Sequence, residues 1–325
     1  MENTGKNESD RPPVRPGKGI HLPSERTGRR SERQGSLSKL NSYERTDLAS
    51  ELDLGDRAGI TGYESSTDGF SVSEIVIVTD EAAKRLSKPK GRYITIDIGK
   101  LWLETDERLG KAAELIASKL SDLADELVGH TPESVMVIGL GNRRMTADAL
   151  GDETCGLLTV TRHVKSHKAL YELLGGRELS ALTPGVLGQT GIESAELAAA
   201  ACERVKPELV VAIDSLCARS TDRLATTVQL GSTGISPGSG IGNRRLAINA
   251  ETLKVPVIAL GIPTVVDSST LVWDALGKAG IDEPCESLRE VLENQKSFFV
   301  TPKETDTIVR ELSRLCADAI TRAFS

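Results

Sequence analysis

Residues 135–152, VMVIGLGNRRMTADALGD, leave this chain few folds to choose from. Residues 135–140 form a short apolar run rich in β-branched side chains, and its length suits a buried strand. Gly139 and Gly141 then provide a turn where backbone can approach a neighbour closely. Thr146 is placed to cap a helix starting near Ala147, which puts Asp148 in the first helical turn beside a strand end. Open α/β sheets hold ligands and catalytic groups at that edge. Residues 208–215, ELVVAIDS, repeat the shape: an apolar run that ends on an acid, Asp214.

Strand-like and helix-like stretches alternate around these two. Residues 73–79 and 93–98 read as strands, 108–128 as an amphipathic helix, and 157–164 as a further strand. Residues 183–193 are a glycine-rich loop leading into a helix over 194–205, stopped before Pro207. Residues 224–230 and 255–260 read as strands, with a second glycine loop over 233–243 between them. Helices follow from Ser268 and over 304–323. The alternation predicts an α/β fold, a mostly parallel central sheet flanked by helices.

Composition narrows the function. The formal net charge is −7 and aromatics are 3%, so the chain as a whole lacks the basic surface and stacking platforms of a nucleic-acid binder. The five cysteines are scattered without a CxxC, so neither a zinc knuckle nor a redox pair is signalled. An odd count inside apolar runs reads as reduced thiols, and no leader or membrane-spanning run is evident, so a cytoplasmic protein is expected. Residues 1–40 carry nine Lys/Arg against five Asp/Glu and few large apolar residues. They are expected to be a disordered tail, with residues 41–325 as one domain.

Three familiar motifs fail. Gly139–Leu140–Gly141 opens a dinucleotide fingerprint, but Arg144 stands where its third glycine belongs. Residues 234–238, GISPG, match GxSxG by letter, yet Pro237 has no N–H to give an oxyanion. His163 and His167 are spaced as helix-borne metal ligands can be, without an HExxH.

Asp148 and Asp214 remain. Either alone is explained by a helix start or a strand-end cap. Two acids at neighbouring strand ends suggest a site. Close carboxylates cannot both ionise cheaply, so one keeps its proton near neutral pH. Such a pair can activate a water and protonate a leaving amine, which is peptide hydrolysis. The same pair could hold a divalent metal, and the glycine loops could simply bind an anion.

Several long motifs then coincide in order with one family. GLGNRRMTADALGDETCGLLTVTRH, SALTPGVLGQTGIES, ERVKPELVVAIDSLCARSTDRLATTVQL, TGISPGSGIGNRR and PVIALGIPTVVDSSTL resemble the germination protease, a spore endopeptidase. ERTDLASE resembles the processing region of the same family. The resemblance implies an endopeptidase that degrades small acid-soluble, DNA-binding spore proteins during germination. It also implies a self-cleaving zymogen in the spore core, a homotetramer, and no cofactor. The family's two proposed catalytic aspartates match Asp148 and Asp214. The chain departs from the pattern at Ala147, where a proline is usual, at residues 141–144 in place of a tryptophan-containing GNWN, and at Asp152.

The implied fold resembles that of hydrogenase-maturation endopeptidases (phosphorylase/hydrolase-like), whose two acids bind metal together with a histidine. No histidine here matches that third position, which puts an unusual aspartic mechanism ahead of the alternative, a metal-dependent maturation-type peptidase. By likeness the self-cleavage falls between Asp47 and Leu48, in a DLASE segment resembling the E-(I/F)-A-S-E site of the substrates. Arg143, Arg144, Arg162, Arg219 and Arg223 flank the proposed site in sequence and are expected to meet substrate acids.

Overall fold

A computed structural model describes residues 46–52, 57–236, 245–281, 285–294 and 298–325. The expected tail over 1–40 and most of the second glycine loop lie outside the described residues. Among the described residues nine strands form one sheet: β1 (Ile60–Thr67), β2 (Phe70–Ile77), β3 (Gly91–Asp97), β4 (Ser134–Gly139), β5 (Glu178–Leu182), β6 (Leu209–Ala218), β7 (Thr227–Gly231), β8 (Val257–Asp267) and β9 (Phe299–Val300). Their order is β1-β2-β3-β7-β8-β6-β4-β5, with β9 on β8.

The α/β class with a large sheet flanked by helices is as expected. The sheet itself is mixed. β8, β6, β4 and β5 are parallel, and this half follows the expectation. β1, β2, β3, β7 and β9 join antiparallel. The antiparallel half starts at a tight hairpin whose two turn residues, Asp68 and Gly69, both have positive φ. An Asp-Gly pair suits that turn because its backbone twist matches the flanking strands. β1 escapes the pattern because it is exposed along nearly its whole length and carries no apolar alternation.

The parallel strands sort their side chains by parity. Val135 and Val137 of β4 and Leu209, Val211 and Ile213 of β6 join the core beneath the helices Asp106–Val128 and Thr305–Phe324. Met136, Ile138, Val210 and Ala212 point the other way, toward the helix Ser194–Val205. Burial on both faces is why these strands read as continuous apolar runs. Asp214 shares the parity of Val210 and Ala212, so it opens on the Ser194–Val205 face.

Residues 157–164 are not a strand. A helix, Leu150–Leu157, is followed by a 3-10 turn at Arg162–Val164. The Thr161 hydroxyl donates to the Arg177 carbonyl and accepts from the Leu179 N–H, a side-chain tie that replaces a ladder.

One buried ion cluster ties the antiparallel half to the long helix. Glu74 on β2 is fully buried and accepts from Arg92 at 2.7 and 2.9 Å and from Lys119 at 3.0 Å. Burial pushes its pKa up, but hydrogen bonds from Tyr63, Arg92 and Lys119 outweigh that and the net shift is downward. A depressed carboxyl gives stability that is present above its unfolded pKa and lost as pH falls through the folded one. Arg92→Met is expected to cost about 3 kcal/mol near neutral pH, because it removes the two-bond partner of a buried carboxylate and leaves that charge to Lys119 and Tyr63. Urea unfolding checks this, and a loss under about 1 kcal/mol would place the cluster among weak surface pairs.

Candidate active site

The site forms where β4 stops and β6 continues. The last tie between them is the Leu140 N–H to the Ile213 carbonyl at 2.8 Å. Beyond it β6 has an open edge on the β4 side, while its other edge stays paired with β8 through a bulge at Leu216/Cys217. Asp214 therefore sits in mid-strand rather than at the strand end expected for it. Leu216, Cys217 and Ala218 are apolar and carry the strand past the acid. From β4 the chain departs to β5 on one side, and β6 lies on the other, so this is a topological switch point.

Asp148 is carried by a loop that closes on itself. Gly141 has φ +106°, and the Asn142 N–H behind it donates both to the Asp148 carbonyl at 3.0 Å and to Asp148 Oδ2 at 2.8 Å. The Asp148 N–H returns to the Met145 carbonyl at 2.7 Å. Thr146–Asp148 is a 3-10 turn, and the helix begins only at Leu150 with Ala149 as its N-cap. Thr146 does not cap it, and Asp148 precedes the helix rather than lying in its first turn. The tight loop bonds compete with helix and win locally. Behind the loop the helix presses on β4, where a Cβ at Gly139 would stand 2.1 Å from the Gly151 carbonyl oxygen.

Asp148 and Asp214 line one cleft of about 410 Å³, together with Asp47, Ser194, Cys217, Arg245 and Thr264. Burial raises the pKa of Asp148, against the Asn142 N–H and the Arg245 charge. Asp214, 8% exposed, is pushed well above the usual carboxylate range, first by burial and then by the charges of Asp148 and Asp47. The Ser215 N–H and Arg245 oppose this shift. Asp148 is the acid that ionises first, and its charge helps Asp214 keep a proton.

The segment 46–52 lies along the open edge of β6. The Asp47 N–H donates to the Cys217 carbonyl and the Cys217 N–H to Asp47 Oδ2, both at 2.9 Å. Leu48 is 0% exposed and packs on Leu216, Ala218 and Val266. The Glu51 carboxylate accepts the Arg219 and Ser220 N–H groups, each at 2.8 Å. The carbonyl of Asp47 accepts from Lys88 Nζ at 2.7 Å and from Gln229 Nε2 at 3.0 Å. Burial pulls the Lys88 pKa down, and the Asp47 charge resists.

The five arginines are scattered. Arg219 meets the segment through its backbone N–H. Arg143 and Arg144 line a neighbouring cleft with Asp152, Thr183 and Gln189. Arg162 pairs with Glu178 at 3.0 Å, at the start of β5 and the far end of the sheet from the acids. Arg223 stands 3.6 Å from Asp97. Sequence reading missed Arg245, Lys88 and Gln229. Arg245 ends the quoted GIGNRR motif and could have been picked from it, whereas nothing local distinguishes Lys88 or Gln229.

Among the described residues no group of three or more His, Cys, Asp or Glu is arranged to hold a metal ion. His130, His163 and His167 do not line the Asp148/Asp214 cleft, and His21 lies outside the described residues.

Fold and cleft together define a class: α/β proteins that hold an electrostatically linked pair of carboxylates where one parallel strand stops and its neighbour continues. A family model described as germination protease matches residues 39–279. Germination proteases of Caldanaerobacter subterraneus subsp. tengcongensis and Clostridium acetobutylicum are 38% and 35% identical, each alignment covering 86% of this chain and 94% of the relative. That of Bacillus velezensis is 38% identical over 86% of this chain and 93% of its own. Among solved structures, the [NiFe] hydrogenase maturation protease HycI of Thermococcus kodakarensis is similar at TM-score 0.34 and 15% identity, over 62% of this chain and 98% of that one. The chain belongs to the germination protease family and is a protease.

Proposed function

We propose that this protease is made as a zymogen, cuts its own Asp47–Leu48 bond with the Asp148/Asp214 pair, and then degrades small acid-soluble spore proteins. The observation that carries the reading is the segment 46–52 seated in the cleft as a substrate would be. Asp47, the buried Leu48, Ala49 and Glu51 each meet a complementary feature there: the Cys217 N–H, an apolar pocket, the Gln229 side chain and the Arg219 and Ser220 N–H groups. Ionised Asp148 takes a proton from water as it attacks the Asp47 carbonyl carbon. Protonated Asp214 gives its proton to the Leu48 nitrogen as the C–N bond breaks. No metal takes part in this scheme.

A substrate carrying the same pattern would use the same subsites, which supports spore proteins with an E-(I/F)-A-S-E site as the class. The homotetramer and the spore-core location rest on family membership. No helix among the described residues is long and apolar enough to cross a membrane. Incubation of the purified chain at mildly acidic pH is expected to yield a new N-terminus at Leu48, equally fast with and without a chelator. Intact mass over time checks this. A chain that stays whole would remove the self-processing step, and chelator inhibition would bring in a metal.

A further inference from the structure

We infer that Lys88 and Gln229 form an oxyanion pocket for the carbonyl of the peptide bond that is cut. This deepens the protease reading above and rests on it. The floor of the pocket spans three strands. Asp214 on β6 and Gln229 on β7 are both register partners of Gly261 on β8. Register partners project to one face, so the three stand in a row, with the outer Cα atoms roughly 10 Å apart from two inter-strand spacings. The middle member has no side chain. Asp47, Lys88, Asp214, Gln229 and Gly261 line the resulting trough.

Within it the Asp47 carbonyl oxygen receives two donors, Lys88 Nζ at 2.7 Å and Gln229 Nε2 at 3.0 Å. Gln229 Oε1 also accepts the Ala49 N–H at 2.5 Å, so one side chain grips the backbone on both sides of the Asp47–Leu48 bond. Lys88 is held from behind. The Tyr93 hydroxyl donates to the adjacent Pro89 carbonyl at 2.8 Å, and Ser87 takes a left-handed conformation, φ 51°, that turns the chain inward.

The chemistry gives these donors a task that the acids do not perform. When water oxygen bonds to the carbonyl carbon, the C=O π pair moves onto oxygen and leaves a negative charge there. Asp148 holds the water's proton, and an ammonium and an amide N–H hold the oxyanion. When the pair returns, the C–N bond breaks and the Asp214 proton goes to the leaving nitrogen. Donors aimed at a developing charge bind it better than the ground-state carbonyl, and that difference lowers the barrier.

The test measures the first-order rate of self-cleavage of the full chain, together with hydrogen exchange of residues 46–52. Gln229→Glu keeps an acceptor for Ala49 and loses the donor to Asp47. Lys88→Met keeps the length and loses the charge, and Lys88→Arg restores a cationic donor. Gln229→Glu and Lys88→Met are each expected to slow cleavage by about 10²–10³-fold, the usual effect of deleting one oxyanion donor. The segment should stay protected from exchange, and Lys88→Arg should recover part of the rate.

Cleavage at or above the wild-type rate in both variants overturns the assignment while leaving the protease reading intact. So does a slow variant whose segment has lost protection, since the side chains would then only hold the segment in place. A wild-type chain that does not cleave overturns the protease reading and this inference with it.

Discussion

Asp148→Asn and Asp214→Asn are each expected to slow cleavage of the Asp47–Leu48 bond by about 10⁴-fold, in line with single deletions from catalytic groups that act as a unit. Asparagine preserves the shape and can still accept from the Asn142 and Ser215 N–H groups. It cannot take a proton from water or give one to an amine. The double variant should be little worse than either single one, because one missing half disables the exchange. The wild-type rate should follow a bell in pH, reported as two values of the pair rather than of either residue. Both limbs should lie above the ordinary aspartate pKa of about 3.9, because both acids are shifted upward. Protonation of the pair's remaining carboxylate closes the acid limb, and loss of the pair's last proton closes the alkaline one.

The same shift makes a claim about stability. Asp214 has a raised folded pKa, so between its unfolded and folded values the native state binds more protons than the unfolded state. Stability therefore falls as pH rises through that window and stays lower above it. Asp214→Asn removes the penalty. Its Tm should exceed that of wild type near neutral pH, and the gap should close on acidification toward the unfolded aspartate pKa. A variant that keeps cleavage within tenfold, or gains no Tm at neutral pH, would show that Asp214 is not the buried acid described here.

Much of this is legible in the amino-acid sequence. The parallel half of the sheet announces itself because β4, β6 and β8 are buried on both faces and so read as unbroken apolar runs. The two acids follow from those runs. The antiparallel half is harder. β1 is exposed along its length, and a polar strand held by a two-residue turn leaves no periodic trace. The sequence pattern puts Asp214 at a strand end because acids usually stop apolar runs, yet Leu216, Cys217 and Ala218 resume it.

Arginines near the acids in sequence spread over the molecule. Arg162 and Arg223 are drawn away by Glu178 and Asp97, and Glu51 meets backbone N–H groups instead of a guanidinium. Lys88 and Gln229 come from elements 41 and 182 residues from Asp47. Their approach to Asp47 depends on how a turn before β3 and strand β7 come together, which no local pattern encodes.

The second large effect is expected from a residue with no side chain. Gly141→Ala should slow cleavage by at least about 10²-fold, the loss that follows a displacement of roughly 1 Å in a reacting group. Two penalties coincide at this position. A left-handed φ costs an L-residue roughly 1–2 kcal/mol wherever it occurs. Here the new Cβ would also stand 2.0 Å from the Asp148 carbonyl oxygen and 3.1 Å from its Oδ1. The loop must open to admit it, and the Asn142 N–H that holds both Asp148 oxygens moves with the loop.

Gly129→Ala separates the two penalties. Gly129 ends the long helix at φ +84°, with nothing within 4 Å of an added Cβ. It should lose comparable backbone stability and keep full cleavage. If both variants cleave at the wild-type rate, Asp148 does not depend on the closed 141–148 loop for its position. If both fail alike, the defect is general strain. A selective failure of Gly141→Ala ties the backbone turn after β4 to the placement of one carboxylate, and through it to the protonation of the other.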